Sequence, residues 1–140
     1  MRAPLLSSED LQKYIFDIYP QTKEKFEILS LESMCLEMLW KTSTSDLRPG
    51  NTLSGPCIFT LADCSFYALT LAMIGKQALT VTTNLSINFM RKAELCDLVA
   101  HTRILKLGKR LCVGDSLIRT TQSDTLIAHA SITYALPNQQ

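Results

Sequence analysis

One segment of the sequence, from Ser54 to Gly75, has the composition of a helix that is apolar on almost every side. It begins with Ser-Gly-Pro, a pattern typical of a helix start, and ends at a glycine. A helix that is apolar all round must be enclosed by other elements, because it has no face suited to water. A small domain can enclose one helix by wrapping a strongly curved sheet around it.

The residues before this segment predict a short helix and a strand. An amphipathic helix is expected at about residues 8–19, because a serine cap and early acids precede its apolar residues and Pro20 follows them. We expect this helix to lie over one edge of the fold. Residues 25–40 carry large apolar side chains at even positions, which fits one strand or two halves of a bent one. These side chains are Phe26, Ile28, Met34, Leu36, Met38 and Trp40.

The residues after the long helix predict four strands. The clearest alternation runs from Leu79 to Phe89 and indicates a strand with one buried face. Its polar side consists of Thr80, Thr82, Asn84, Ser86 and Asn88. Residues 98–107 and 111–121 flank Gly-Lys-Arg and predict a hairpin, and residues 126–136 alternate again. The whole order predicts one antiparallel α+β domain over residues 1–140.

Composition limits the class of function. The chain has 140 residues, 46% of them hydrophobic, and a net charge of +1, so it has no global attraction to nucleic acid or to an anionic membrane. It has no run of about 18 uncharged apolar residues that would predict a membrane span. Its five cysteines form no C-x-x-C pair, so we expect reduced, mostly buried thiols, no metal and a cytoplasmic protein.

Asp63 is the one charged residue in the long apolar helix. Its helical neighbours at three and four residues are Phe59, Thr60, Phe66 and Tyr67, so no Lys or Arg can pair with it locally. Burying an unpaired carboxylate costs several kcal/mol and often marks function. Two interpretations remain open from the residues alone: a narrow polar strip at a subunit interface, or a catalytic carboxylate.

Three segments in order resemble a known family: GNTLSGPCIFTLADCSFYAL, TVTTNLSINFMRKA and LKLGKRLCVGDSLI. They are similar to the hotdog-fold acyl-CoA thioesterases of the phenylacetate-degradation (PaaI-like) branch, over residues 47–136. The resemblance implies a long helix wrapped by a curved antiparallel sheet of about five or six strands. It also implies homodimers or dimers of dimers, with active sites between subunits.

The resemblance also assigns site residues. Asp63 falls on the family's catalytic carboxylate, acting as nucleophile or general base, and the Gly55 backbone N–H is the implied oxyanion donor. Thr82 lies near a position where relatives use a partner-subunit hydroxyl to orient water. Arg91, Lys109 and Arg110 are the implied ligands of coenzyme A, which is part of the substrate, so no separate cofactor is expected.

The chain departs from the family pattern at two points. Ser54-Gly55-Pro56 replaces the usual His-Gly-Gly, which keeps the glycine donor. Arg48 stands where the family usually has Asn or Gln, and a cation there would weaken an Asp as a base. We expect Arg48 and Ser54 to contact the substrate or CoA, or Arg48 to lie in solvent, and Asn51 to replace the missing amide.

Other functions compete with hydrolysis. A hotdog domain that binds acyl-CoA without turnover is the main alternative, because of Arg48 and the missing His-Gly-Gly. A hotdog hydratase or dehydratase would carry a D-x-N-P-x-H motif, and a general esterase would carry G-x-S-x-G; the sequence has neither. His101 and His129 each stand alone in strand patterns, so neither is predicted to be catalytic.

Overall fold

The computed structural model describes residues 2–137 and consists of a central helix packed against an antiparallel sheet. The helices are α1 (Ser8–Ile18) and α2 (Gly55–Ile74). The strands are β1 (Phe26–Glu32), β2 (Cys35–Trp40), β3 (Leu47–Arg48), β4 (Thr52–Leu53), β5 (Val81–Phe89), β6 (Leu98–Leu107), β7 (Leu111–Thr120) and β8 (Leu126–Ala135). Six strands form one sheet in the order β1-β2-β6-β7-β8-β5, and β3 pairs with β4 separately. The predicted hotdog arrangement is confirmed.

The helix α2 is the centre of the core. It packs against β2, β5, β6, β7 and β8, and Leu61, Phe66 and Leu69 on it are fully buried. By length and mean hydropathy, 1.7 over 18 residues, α2 could cross a membrane, but 72% of that stretch is buried inside the fold. It is therefore the enclosed helix that its composition predicts. The helix α1 packs on α2 and β1.

A glycine allows α2 to approach the sheet closely. Gly114 lies in β7 opposite Ile104, and a Cβ at this position would come 2.5 Å from Phe66 Cε1. The same Cβ would also clash with the carbonyl oxygen of Arg103. Only a residue without a side chain fits between this pair of strands and the helix.

Residues 26–40 form a hairpin of two strands rather than one extended strand. Phe26 pairs with Trp40 and Ile28 with Met38, so the apolar side chains share the face that packs on the core, as the alternation predicts. The turn places Met34 at a φ of 63°. A methionine rarely adopts this conformation, and Ser33 is the one turn-type residue here, so the sequence carries only a weak turn signal.

The prediction that β5 alternates uniformly with one buried face is wrong. The pairing of β5 with β8 shifts register between Thr82 and Asn84, which is a β-bulge. Thr82 pairs with Tyr134 and Leu85 pairs with Ile132, and both partners belong to the buried face of β8. Thr82 therefore shares the inner face with Leu85, whereas Val81 turns outward and is 55% exposed.

The five cysteines are free, as predicted. Cys57 and Cys112 are buried, Cys64 and Cys96 are half-buried, and Cys35 is exposed. The expectation that most are buried holds for only two of them.

Candidate active site

The carboxylate of Asp63 is held by two hydroxyl groups. Thr82 Oγ1 donates to Asp63 Oδ1 over 2.7 Å, and the Tyr134 hydroxyl lies 2.6 Å from the same oxygen. Within residues 2–137, no group donates to Asp63 Oδ2 and no cationic side chain lies within 4.0 Å of the carboxylate. Asp63 is therefore a half-buried anion with hydrogen-bond donors and no counter-charge.

The fold brings these three side chains together from three elements. Asp63 lies on α2, and the bulge in β5 turns Thr82 toward that helix. Tyr134 extends from the inner face of β8 and is only 2% exposed. Its ring packs against Phe66, with ring centroids 5.3 Å apart, and lies near Tyr67.

A cleft of about 490 Å³ opens in front of Asp63; we call it the Asp63 cleft. Its wall is largely apolar or aromatic and includes Tyr19, Phe59, Tyr67 and Val81. A thiol also lines the cleft, at Cys64. Burial, with the Asp63 charge adding to it, raises the pKa of Cys64 to about 12, which disfavours the thiolate form that a cysteine nucleophile needs.

A second cleft, of about 350 Å³, lies at the start of α2; we call it the Gly55 cleft. Arg48, Gly55 and Arg91 line it together with Lys92. In the described part of the chain, none of these three cationic side chains has a carboxylate within 4.0 Å. The structure thus brings three predicted site residues, Arg48, Gly55 and Arg91, into one cleft.

The backbone N–H groups at the start of α2 are not equivalent. Ser54 is the N-cap, and its Oγ accepts from the Cys57 N–H over 3.2 Å. Pro56 has no N–H to donate. The Gly55 N–H has no acceptor within residues 2–137 and is the free donor of this turn. The Ser54 side chain lines a different cleft, on the side of Lys25 and Asp46.

The remaining predicted residues lie elsewhere. Asn51 occupies the turn between β3 and β4 with a φ of 61° and does not line either named cleft. Lys109 and Arg110 form the β6–β7 turn and, with Arg2, line a third cleft of about 540 Å³ near Ile74. In one chain, this turn lies at the opposite end of α2 from the Gly55 cleft.

Neither histidine lines the Asp63 cleft or the Gly55 cleft. His101 Nδ1 lies 3.4 Å from Glu37 Oε1, and His129 Nε2 lies 3.0 Å from Asp115 Oδ2. Arg103 also pairs with Asp115, through both oxygens of the carboxylate. These are polar contacts across neighbouring strands, and the contact between Arg103 and Asp115 is an ion pair.

Sequence reasoning missed Tyr134 as a site residue. Tyr134 shares one side of the alternating β8 pattern with Ala128, Ala130 and Ile132, and the structure buries that side. A tyrosine in a buried strand position needs a partner for its hydroxyl, and this requirement was the available signal.

Comparison with known proteins identifies the family. The chain matches the thioesterase superfamily model over residues 50–127. A candidate thioesterase from Silicibacter sp. TM1040 is 41% identical, with 96% of this chain and 94% of that chain covered and a TM-score of 0.88. No curated protein matches the chain.

Two more distant structures share the fold. A hypothetical thioesterase from Streptococcus pneumoniae TIGR4, solved with coenzyme A, is 21% identical, with 96% and 99% of the two chains covered and a TM-score of 0.76. A candidate thioesterase from Ralstonia eutropha JMP134, related to phenylacetic acid degradation, is 21% identical over 84% and 90%, with a TM-score of 0.77. With its family match and its relative at 41% identity, the chain belongs to the thioesterase superfamily.

Proposed function

We propose that this protein is an acyl-CoA thioesterase in which Asp63 performs the chemistry. The observation that carries the proposal is the carboxylate itself, which lines a largely apolar cleft with two hydroxyl donors and, among the described residues, no counter-charge. A carboxylate in such a place can act as a nucleophile or as a general base. The superfamily membership supports hydrolysis, and the related S. pneumoniae protein solved with coenzyme A supports a CoA thioester as substrate.

Two routes use the same residues. In the general-base route, Asp63 takes a proton from water, and the water oxygen bonds to the thioester carbonyl carbon. The carbonyl oxygen becomes an oxyanion that accepts from the Gly55 N–H. The carbon–sulfur bond then breaks, and the CoA thiolate takes the proton from Asp63. In the nucleophilic route, Asp63 attacks the carbon, CoA leaves, and water hydrolyses the resulting anhydride.

The proposed site contains residues from two subunits. Gly55 and Asp63 are eight residues apart on α2, which places them about 12 Å apart along the axis. One thioester carbonyl cannot contact both, because an oxyanion donor must lie about 3 Å from the oxygen. The Gly55 N–H that serves a given Asp63 therefore comes from a second copy of the chain.

The strand β5 is the proposed contact between copies. Within residues 2–137 it ends the sheet and pairs only with β8, and it leaves Val81 and Phe89 more than half exposed. An unpaired apolar edge favours pairing with a second edge. We expect a homodimer joined through β5, which can pair again into a tetramer, and sedimentation as a monomer at micromolar concentration would contradict this.

Antiparallel pairing of two β5 strands would also unite the predicted CoA ligands. Val81 and Leu111 both pair with Ala135, so the Lys109–Arg110 turn lies where β5 begins. Arg91 follows the end of β5. In the paired dimer, the partner subunit's Arg91 would approach Lys109 and Arg110, and the three cations could bind the phosphates of CoA.

A binding protein without turnover is the second candidate. The observation that favours it is Arg48, which lines the Gly55 cleft with Arg91 and Lys92, where the family usually has a neutral amide. A cation near the carboxylate would stabilise its charged form and weaken it as a base.

A panel of acyl-CoAs, assayed for release of free thiol, separates the two candidates. We expect hydrolysis by the parent and a fall in kcat of about 10² to 10⁴ for Asp63→Asn, the range for lost acid–base catalysis. Asp17→Asn removes an exposed carboxylate of α1 and serves as the matched control. If Asp63→Asn hydrolyses thioesters at the rate of the parent protein, the assignment of Asp63 is wrong. If the parent protein binds acyl-CoAs but hydrolyses none of them, it is a binding protein.

A further inference from the structure

The two hydroxyl groups at Asp63 converge on one of its two oxygens. Thr82 and Tyr134 both lie within 2.7 Å of Oδ1, whereas the described residues offer no donor to Oδ2. We propose that Tyr134 is a positioning residue that, together with Thr82, fixes Oδ1 and leaves Oδ2 as the reacting oxygen. This inference rests on the proposed function and adds to it the orientation of the carboxylate.

The contact from Tyr134 has the geometry of a strong hydrogen bond. Its O···O distance of 2.6 Å falls in the range for a hydroxyl that donates to a charged carboxylate. Burial, followed by the negative charge of Asp63, raises the pKa of Tyr134 well above its usual range. The hydroxyl therefore stays protonated and donates to Asp63. Its contact with Oδ1, at 2.6 Å, is shorter than its contact with the Asp63 carbonyl oxygen, at 2.9 Å, so Oδ1 is the main acceptor.

The two donor residues lie opposite each other on neighbouring strands of the sheet. Thr82 and Tyr134 are register partners on β5 and β8, so their side chains reach α2 side by side. The Tyr134 ring is fixed in turn by Phe66. The orientation of the carboxylate is thus determined by the sheet, because nothing on α2 within one turn donates to it.

The two oxygens of the Asp63 carboxylate therefore have different roles. An oxygen that already accepts two hydrogen bonds has little capacity left to take a proton, whereas Oδ2 keeps its lone pairs free. The general-base route then places the proton from water on Oδ2, and the nucleophilic route forms the new carbon–oxygen bond there. Orientation of this kind lowers the barrier without changing how substrate binds.

The test uses isosteric removal of each hydroxyl. Tyr134→Phe and Thr82→Val delete one donor each, and Tyr14→Phe and Thr83→Val are matched controls, because Tyr14 lies on α1 and the Thr83 hydroxyl bonds to Thr133 O. We expect kcat to fall roughly tenfold in each single variant and more in the double variant, with KM unchanged.

Two outcomes overturn the proposal, and they differ from a failure of the proposed function. If Asp63→Asn is inactive but Tyr134→Phe keeps the parent kcat and KM, Tyr134 does not position Asp63. A crystal structure of the Tyr134→Phe, Thr82→Val double variant gives a second test that needs no activity. We expect the Asp63 side chain to change its rotamer or lose order, and an unchanged Asp63 conformation refutes the proposal even if the parent hydrolyses no thioester.

Discussion

Gly55 faces the ring of Phe89 so closely that a Cβ at position 55 would lie 3.3 Å from Phe89 Cζ. Because of this contact, a substitution at position 55 can act either by crowding Phe89 or by removing the backbone N–H, and two variants separate the two effects. Gly55→Ala adds the Cβ and keeps the N–H, whereas Gly55→Pro adds it and removes the N–H. Proline fits this position, because it suits the first turn of a helix and the preceding Ser54 is extended, with ψ 153°.

We expect Gly55→Pro to lower kcat by about 10² to 10³, as for loss of one oxyanion donor, and Gly55→Ala to lower it far less. Steady-state thiol release for both variants measures the difference, and circular dichroism checks that α2 is intact. Equal losses in the two variants would assign the effect to crowding against Phe89 and remove Gly55 from the oxyanion site.

Much of the fold followed from the sequence, because periodicity reports burial directly. Alternation predicts strand β8, two apolar-rich runs on either side of Gly-Lys-Arg predict the β6–β7 hairpin, and the lack of a polar face predicts the enclosed α2. Asp63 stood out for the same reason, as a charge without a helical partner. Elements whose local pattern agrees with their tertiary environment can be read in this way.

The details that the sequence did not give depend on contacts between distant residues. Thr82 reaches Asp63 only because a bulge shifts β5 by one residue, and the bulge carries no glycine that would have marked it. Tyr134 contacts a residue 71 positions away. The sequence does not predict the β1–β2 turn because Met34, rather than a Gly or Asn, takes the positive φ, and Ser33 is the one turn-type residue there.

The charges of the β6–β7 turn allow a test of CoA binding. We expect replacement of Lys109 and Arg110 by Ala to raise KM and to make it less sensitive to salt, because screened phosphate contacts are lost. The kcat should change little, since such contacts are equal in the ground and transition states. Lys23→Ala and Lys41→Ala, which remove exposed cations near the other end of the fold, are controls. An unchanged KM would show that the phosphates bind elsewhere.

Asp115 predicts a pH dependence of stability that is separate from catalysis. Burial alone would raise the pKa of this carboxyl, but hydrogen bonds from Arg103 and His129 outweigh burial and hold the pKa below its usual range. Because the folded-state pKa of Asp115 is lowered, its ionised carboxylate stabilises the fold at pH values above the unfolded-state pKa, near pH 4. This stabilisation is lost as the pH falls through the folded-state pKa.

We therefore expect Asp115→Asn to lower the urea midpoint at pH 7 and the difference from the parent to shrink below about pH 4. Unfolding by urea at several pH values measures this, and Asp17→Asn is again the control. A difference that stays constant from pH 7 to pH 3 would show that charge on Asp115 does not contribute.

If each site contains residues from two subunits, two inactive variants should regain activity when they form mixed dimers. In a mixed dimer of Gly55→Pro and Asp63→Asn, one site receives the intact Gly55 from one chain and the intact Asp63 from the other, and the second site receives both defects. Random pairing makes half of the dimers mixed, so co-expression should restore roughly a quarter of the parent rate.

The control is a double variant, Gly55→Pro with Asp63→Asn, co-expressed with either single variant. No site in those mixtures contains both intact groups, so they should stay inactive while forming dimers equally well. If both groups acted within one chain, no mixture of the single variants would regain activity. Mixed dimers that form but stay inactive would therefore show that Gly55 and Asp63 do not meet across a subunit interface.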